Sequence, residues 1–265
     1  MSIITLTSDY GLSDPYAAAV KGQIFQQWQE ARIVDISHQI HPDNLMQASF
    51  VLRNAYPSFP EGTVHLILVK ELHKAARWLA YKINGHHFIS SDCGLLAMVN
   101  PERRPDEVVE INYRVDRASL FPGRDFLSAA AAHLAKGGQL SVLGRPTDKW
   151  QEHTYLRPRV DDDERILGAI IYVDNRGNLI TNISRSLFKR TAKGRDFKIL
   201  LPRNKALTKI SQGYFDHQQD GVMALFNSSD LLEISYKEAE SKELNGASSL
   251  LSLSVQNSVT LVFEG

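Results

Sequence analysis

Residues 2–69 alternate between two hydrophobic rhythms, and that alternation restricts the fold more than any other feature of the chain. "SIITLTS" (2–8) is apolar and β-rich and runs into the polar turn "DYGLSDP". "YAAAVKGQIFQQWQE" (16–30) then sets Tyr16, Ala19, Val20, Ile24 and Trp28 at helical spacing. "ARIVDIS" (31–37) is strand-like, a helix follows near 44–56, and "GTVHLILV" (62–69) is a third strand. Strand, helix, strand, helix, strand predicts a largely parallel sheet with helices on both faces. The Asn84-Gly85 pair inside "RWLAYKINGHHFISS" (77–91) predicts a hairpin.

The texture changes past residue 145. "LRPRVDDDERI" (156–166) reads as a polar linker or edge whose acidic run faces solvent. From there to "SVTLVFEG" short β-like segments are joined by Gly, Asn and Asp turns. The expected fold is α/β: an N-terminal α/β domain over 1–155 and a smaller all-β domain over 160–265.

Lys and Arg number 30 and Asp and Glu number 30, which removes the basic excess that general nucleic-acid binding needs. A single cysteine, Cys93, leaves no intrachain disulfide and fits a reducing compartment. "MSIITLTSDYG" lacks a basic n-region, and no apolar run approaches the roughly 20 residues of a membrane span. The expectation is a cytoplasmic protein with neither membrane nor nucleic-acid partners.

In an open parallel sheet, ligands bind beyond the carboxyl ends of the strands. Asp9 stands there, with a carboxylate suited to a ribose diol. Asp14 before Pro15 reads as a helix cap with proline at the first helical position. Asp174, Asn178 and Asn182 cluster around a glycine turn, and turn chemistry alone accounts for them. "LVKELHKAAR" (68–77) takes a strand into Lys70, Glu71, His73, Lys74 and Arg77, on composition a charged loop. His38, His41 and Asp43 lack a fourth ligand, so no metal is expected. Dinucleotide, P-loop and hydrolase-elbow signatures are missing.

Several of these stretches, in order, resemble the S-adenosyl-L-methionine (SAM) hydroxide adenosyltransferases, relatives of the SAM-dependent fluorinase and chlorinase. "ITLTSDYGLSDPYAAAVKG" is similar to the family's "LTDFG…DPYVG…KG", and "VDISHQIHPDN" to "DITH…P". "ASFVLRNAYPSFPEGTVHLILV" resembles "AA…L…FP.GTVH…VV", "SSDCGLL" resembles "PDNGLL", and "YVDNRGNLITNI" resembles "D..GN…TNI". The resemblance implies a trimer, with SAM held between the N-domain of one subunit and the C-domain of its neighbour. It places Asp9 on the ribose hydroxyls, Asp174 and Asn178 on the methionine end, and "FNSSDLLE" (226–233), with Asn227, Ser228 and Ser229, around the adenine. The resemblance implies SAM as substrate or ligand and no separate cofactor.

The family's hydrolytic members orient water with an Asp–Arg–His set. Its "VVDPGVG..R" stretch here reads "LVKELHKAAR": Arg77 matches, but Lys70 replaces the Asp. Its "FHGRD" reads "FPGRD", so Pro122 replaces the His. Loss of positioned acid–base help costs roughly 10²–10⁴-fold in rate. An ammonium about 5 Å from a sulfonium adds roughly 3 kcal/mol of repulsion at an effective dielectric near 20. Three readings follow: hydrolysis of SAM to adenosine and methionine by a rearranged set drawn from Arg77, His73, Lys70 and Glu71; binding without turnover; or a different nucleoside substrate.

Overall fold

A computed structural model of the chain describes residues 2–42, 44–72, 77–153, 156–162, 164–216, 221–237 and 246–264. Two compact units divide it, Met1–Tyr155 and Leu156–Gly265.

The first unit carries β1 (Ile3–Ser8), α1 (Tyr16–Gln27), β2 (Arg32–Ser37), α2 (Leu45–Ala55), β3 (Val64–Leu68), β4 (Trp78–Ile83), β5 (His86–Ser91), α3 (Leu95–Val99), β6 (Glu107–Ile111), α4 (Ser128–Ala135), α5 (Leu140–Leu143) and β7 (Gly144–Pro146). Its sheet runs β2-β1-β3-β5-β4-β6-β7. β2, β1, β3 and β5 are parallel, as the alternating pattern predicts. β4, β6 and β7 extend it antiparallel. Ile4, Leu6, Val64, Leu66 and Leu68 point to one face and pack with Val20 and Ile24 of α1 and the alanines of α4. Ile67, Leu79, Tyr81 and Phe88 point to the other and meet Leu45, Ala48 and Leu52 of α2. The period-2 alternation of a strand buried on both faces thus gives two apolar layers.

Local signals account for several boundaries. Asn44 caps α2, its Oδ1 accepting the Gln47 N–H at 3.0 Å. Asn84 (φ 50°) and Gly85 (φ 77°) are both left-handed, the geometry of a type I′ turn between Ile83 and His86. The expected Asp14 cap is absent: Pro15 occupies the N-cap position of α1, with no side-chain cap hydrogen bond. Pro15 is already helical (φ −75°, ψ −6°) and has no N–H to satisfy, so the turn begins without help from Asp14.

The second unit is a sheet with one principal helix. It comprises β8 (Arg159–Asp161), β9 (Arg165–Val173), β10 (Leu179–Ser184), α6 (Arg185–Ala192), β11 (Phe197–Leu201), β12 (Lys205–Leu207), β13 (Ile210–Ser211), β14 (Gly221–Phe226), β15 (Leu231–Lys237), α7 (Ala247–Leu251) and β16 (Ser258–Phe263). The strand order is β12-β11-β16-β9-β10-β15-β14-β13, with β8 also pairing β9. Ile166, Ile170, Leu179, Ile199, Leu232, Ile234 and Leu261 form its core. Asp162 and Glu164 of the acidic run are exposed, as expected; Asp163 lies outside the described residues.

Candidate active site

The carboxyl ends of β1, β2 and β3 bring three loops together. Asp9 follows β1, and its N–H reaches the Leu68 carbonyl of β3. Gly11 donates to the His38 carbonyl at 2.7 Å, and Ile40 to the Ser8 carbonyl, tying in the loop after β2. Asp9 Oδ2 accepts the Lys70 backbone N–H at 3.0 Å. Lys70 is left-handed (φ 50°), a conformation that costs a β-substituted residue roughly 1–2 kcal/mol. The Asp9 bond on its N–H and a Ser91 hydroxyl donating to its carbonyl at 2.9 Å hold it there. Burial pushes the nearby Cys93 thiol up, against the smaller pulls of Ser91, the Leu95 backbone and the Lys70 charge.

The next residue, Glu71, is buried. Its Oε2 accepts the Gly123 N–H at 2.8 Å, and its carbonyl accepts the Trp78 indole N–H at 3.3 Å. Burial, reinforced by the Asp9 and Asp125 carboxylates, pushes its carboxyl up to about 7 against the pull of the Gly123 N–H and Tyr10. Gly123 opens a π-helical turn (Gly123–Leu127) that leads directly into α4. Buried Pro122 immediately precedes it. Tyr10, Tyr16 and Phe121 form a triangle of rings with centroids 5.5–5.8 Å apart on the same side of the site.

The residues suggested by the sequence are therefore partly assembled. Asp9, Lys70 and Glu71 are neighbours. Arg77 is committed elsewhere: its guanidinium reaches Asp92 and Glu110, each at 3.1 Å, and the Lys149 carbonyl. His73 lies outside the described residues. Arg124 and Asp125 of "FPGRD" pair with each other at 2.6 Å, and Asp125 also accepts from the Ser119 hydroxyl. Sequence reasoning left Tyr10 and the Gly123 N–H without a role. The visible signal was the tyrosine in "SDYG", where the resembling stretch has phenylalanine.

His38 is a structural residue, bonded through Nδ1 to the Ser8 hydroxyl at 2.7 Å with Nε2 3.0 Å from Asp35. Asp43 of that trio lies outside the described residues. Among the described residues no group of three or more His, Cys, Asp or Glu is placed to hold a metal ion.

In the second unit the 172–182 stretch is a self-satisfied turn. Asp174 Oδ1 accepts the N–H groups of Arg176 and Asn178, and Asn178 Nδ2 donates to Asp174 Oδ2 at 2.9 Å. Gly177 (φ 74°) is obligatory, because a Cβ there would lie 2.8 Å from the Gly246 Cα. Asn182 bonds the Ala169 N–H and the Leu156 carbonyl, a purely architectural use. Asn227 Oδ1 accepts the N–H groups of Ser229 and Leu231, shaping the "NSSD" turn, while Ser228 is exposed. Buried Glu233, another residue not singled out by the sequence, takes the Asn227 amide at 3.1 Å and the Tyr214 and Ser235 hydroxyls at 2.8 and 2.6 Å.

The family model for the SAM hydroxide adenosyltransferase N-terminal domain matches residues 4–144, and that for the C-terminal domain matches residues 168–260. The chain is 27% identical over 276 residues to the (R)-S-adenosyl-L-methionine hydrolase of Methanocaldococcus jannaschii, covering 99% of this chain and 97% of that protein. It is 23% identical to the fluorinase of Nocardia brasiliensis, covering 86% and 87%. The crystal structure of an uncharacterized conserved protein from Thermotoga maritima superposes with a TM-score of 0.86 at 27% identity, covering 98% of this chain and all of that one. With both domain models matched in order along its length, the chain belongs to the SAM hydroxide adenosyltransferase family.

Proposed function

We propose that this protein hydrolyses SAM to adenosine and L-methionine by attack of water at the ribose 5′-carbon. The observation that carries this reading is the Asp9 carboxylate, fixed at the carboxyl ends of parallel β1 and β3 by the Lys70 N–H. Relatives spanning nearly the whole chain support it, being SAM hydrolases. Asp9 accepts the two ribose hydroxyls. Asp174 and Asn178, locked to each other, present a rigid acceptor and donor to the amino and carboxylate groups of the methionine end. The turn carrying Asn227, Ser228 and Ser229 lies against the adenine. Methionine leaves a sulfonium as a neutral thioether, so the leaving group needs no acid, and the protein contributes orientation and a desolvated nucleophile. No separate cofactor takes part.

The working unit in this proposal is a cytoplasmic homotrimer with its sites between subunits. Leu12, Leu72 and Leu120 on loops and Tyr16 at the start of α1 are 69%, 53%, 86% and 47% exposed, an apolar rim suited to a second subunit. No helix among the described residues is long and apolar enough to cross a membrane.

Lys70 and Pro122 favour a second reading, in which the pocket binds SAM or another nucleoside without turnover. Purified protein incubated with SAM, with adenosine and methionine quantified by chromatography and Asp9→Ala as control, separates the two. Adenosine above the control supports hydrolysis; intact SAM that nevertheless binds supports the second reading.

A further inference from the structure

Tyr10 and Glu71 come from different loops and converge on Gly123. A Cβ built on Gly123 would lie 2.7 Å from the Tyr10 hydroxyl oxygen and 2.9 Å from Glu71 Oε2, so three polar groups share one small volume. The Tyr10 hydroxyl is buried and closes no hydrogen bond of normal geometry. Burial first, and then the Glu71 carboxylate beside it, pushes the phenol far above its ordinary value. Both side chains are changes from the resembling stretches, which have phenylalanine and proline at these places. The other two changes, Lys70 and Pro122, flank the same pair along the chain: Lys70 precedes Glu71, and Pro122 precedes Gly123.

We propose that Glu71 is the general base of this active site, its carboxylate held by the Gly123 N–H with the Tyr10 hydroxyl beside it, a role that rests on the hydrolysis proposed above. As the water oxygen bonds to C5′, one water proton passes to the Glu71 carboxylate. The C5′–S bond breaks with its electron pair on sulfur, giving neutral methionine and adenosine. Glu71 then returns the proton to solvent. The charged groups facing it are Asp9 from the loop after β1 and Asp125 from the π-helical turn, with Tyr10 as the titratable hydroxyl. Tyr10 acts as a positioning residue.

The test uses the full-length protein with SAM. Glu71→Gln keeps an acceptor for the Gly123 N–H but loses the base, and is expected to lower kcat for adenosine release by roughly 10²–10⁴-fold with SAM affinity held within about threefold by calorimetry. The wild-type kcat is expected to rise with pH to a plateau through a midpoint near 7, the value at which Glu71 is poised. Tyr10→Phe preserves the ring triangle and removes the hydroxyl whose pull favours the ionised carboxylate, so its acid limb moves to higher pH. Wild-type kcat and an unchanged pH profile in Glu71→Gln overturn the assignment while leaving hydrolysis intact. An acid limb that stays in place in Tyr10→Phe overturns it as well, should the Gln variant not fold. A wild-type protein that makes no adenosine at any pH overturns both the assignment and the reaction.

Discussion

The Lys70 backbone N–H donates to Asp9 Oδ2 at 3.0 Å, so the carboxylate assigned to the ribose is also the strut that joins the loop after β1 to the loop after β3. Asp9→Ala and Asp9→Asn therefore separate the two duties. Asn retains an acceptor for Lys70, and its unfolding free energy in urea is expected within about 1 kcal/mol of wild type. Ala loses about 1–3 kcal/mol, the cost of stranding a partner of a charged hydrogen bond. Both variants lose SAM affinity by roughly tenfold or more in calorimetry, because neither keeps a charged acceptor for the diol.

Glu71 makes stability depend on pH in an unusual direction. Its folded value near 7 lies above the ordinary 4.5, so between these the folded chain holds a proton that the unfolded chain has released. The contribution is fully present below about pH 4.5 and is lost as pH rises toward 7, by about 3 kcal/mol at most. Denaturant titrations at pH 5 and pH 8 should show Glu71→Gln gaining on wild type at the higher pH. Parallel curves at the two values count against a buried, protonated Glu71.

A histidine cluster in the first unit acts with the opposite sign. Thr5 Oγ1 meets His65 Nδ1 at 2.7 Å, and His65 Nε2 meets His86 Nδ1 at 3.1 Å. Burial first, then the His86 and His87 charges, pulls His65 down to about 3. Between about 3 and 6.5 the unfolded chain binds a proton that the folded chain refuses, so stability falls as pH drops through that window. His65→Gln is expected to flatten the acid side of a Tm-versus-pH curve, and a slope identical to wild type would remove His65 from the account.

Gly144 begins β7 where a side chain has no room. A Cβ there would overlap the Glu110 carbonyl oxygen of β6. Gly144→Ala must therefore open the β6–β7 pairing, with an expected loss of about 2–3 kcal/mol and a fall in Tm. A variant that melts with wild type would show that the edge strand can shift at no cost.

The parallel half of the first sheet was legible because β1, β2 and β3 carry their own periodicity and punctuation, and Asn84-Gly85 announced its hairpin. The antiparallel edge formed by β6 and β7 was not, since three residues, "GRP", give no period to read. The placement of Asp9 at the end of β1 was legible from its position after a strand. Tyr10 was not, and Glu71 stood only as one candidate of a rearranged set, because their meeting across 61 positions of sequence and their burial are not encoded in spacing. Arg77 matches the resembling stretch by position, and in the structure its guanidinium pairs with Asp92 and Glu110, a meeting that spacing does not encode. Asp174 and Asn178 were correctly read as turn formers, and their mutual bond completes that turn.

The strand order β3-β5-β4 has a consequence for how the molecule assembles in time. The chain leaving β3 passes over the neighbouring slot, which is filled only when β5 folds back from β4. The hairpin closes through a two-residue turn and is a local, fast event, whereas its docking on β3 joins residues more than twenty positions apart. Until that docking, the Ser91 hydroxyl cannot reach the Lys70 carbonyl, and the segment bearing Lys70 and Glu71 has only one anchored end. The Ser91 anchor on Lys70 thus forms no earlier than the docking of the hairpin on β3, so a variant that slows the hairpin is expected to delay the ordering of the 70–71 segment more than the appearance of helices.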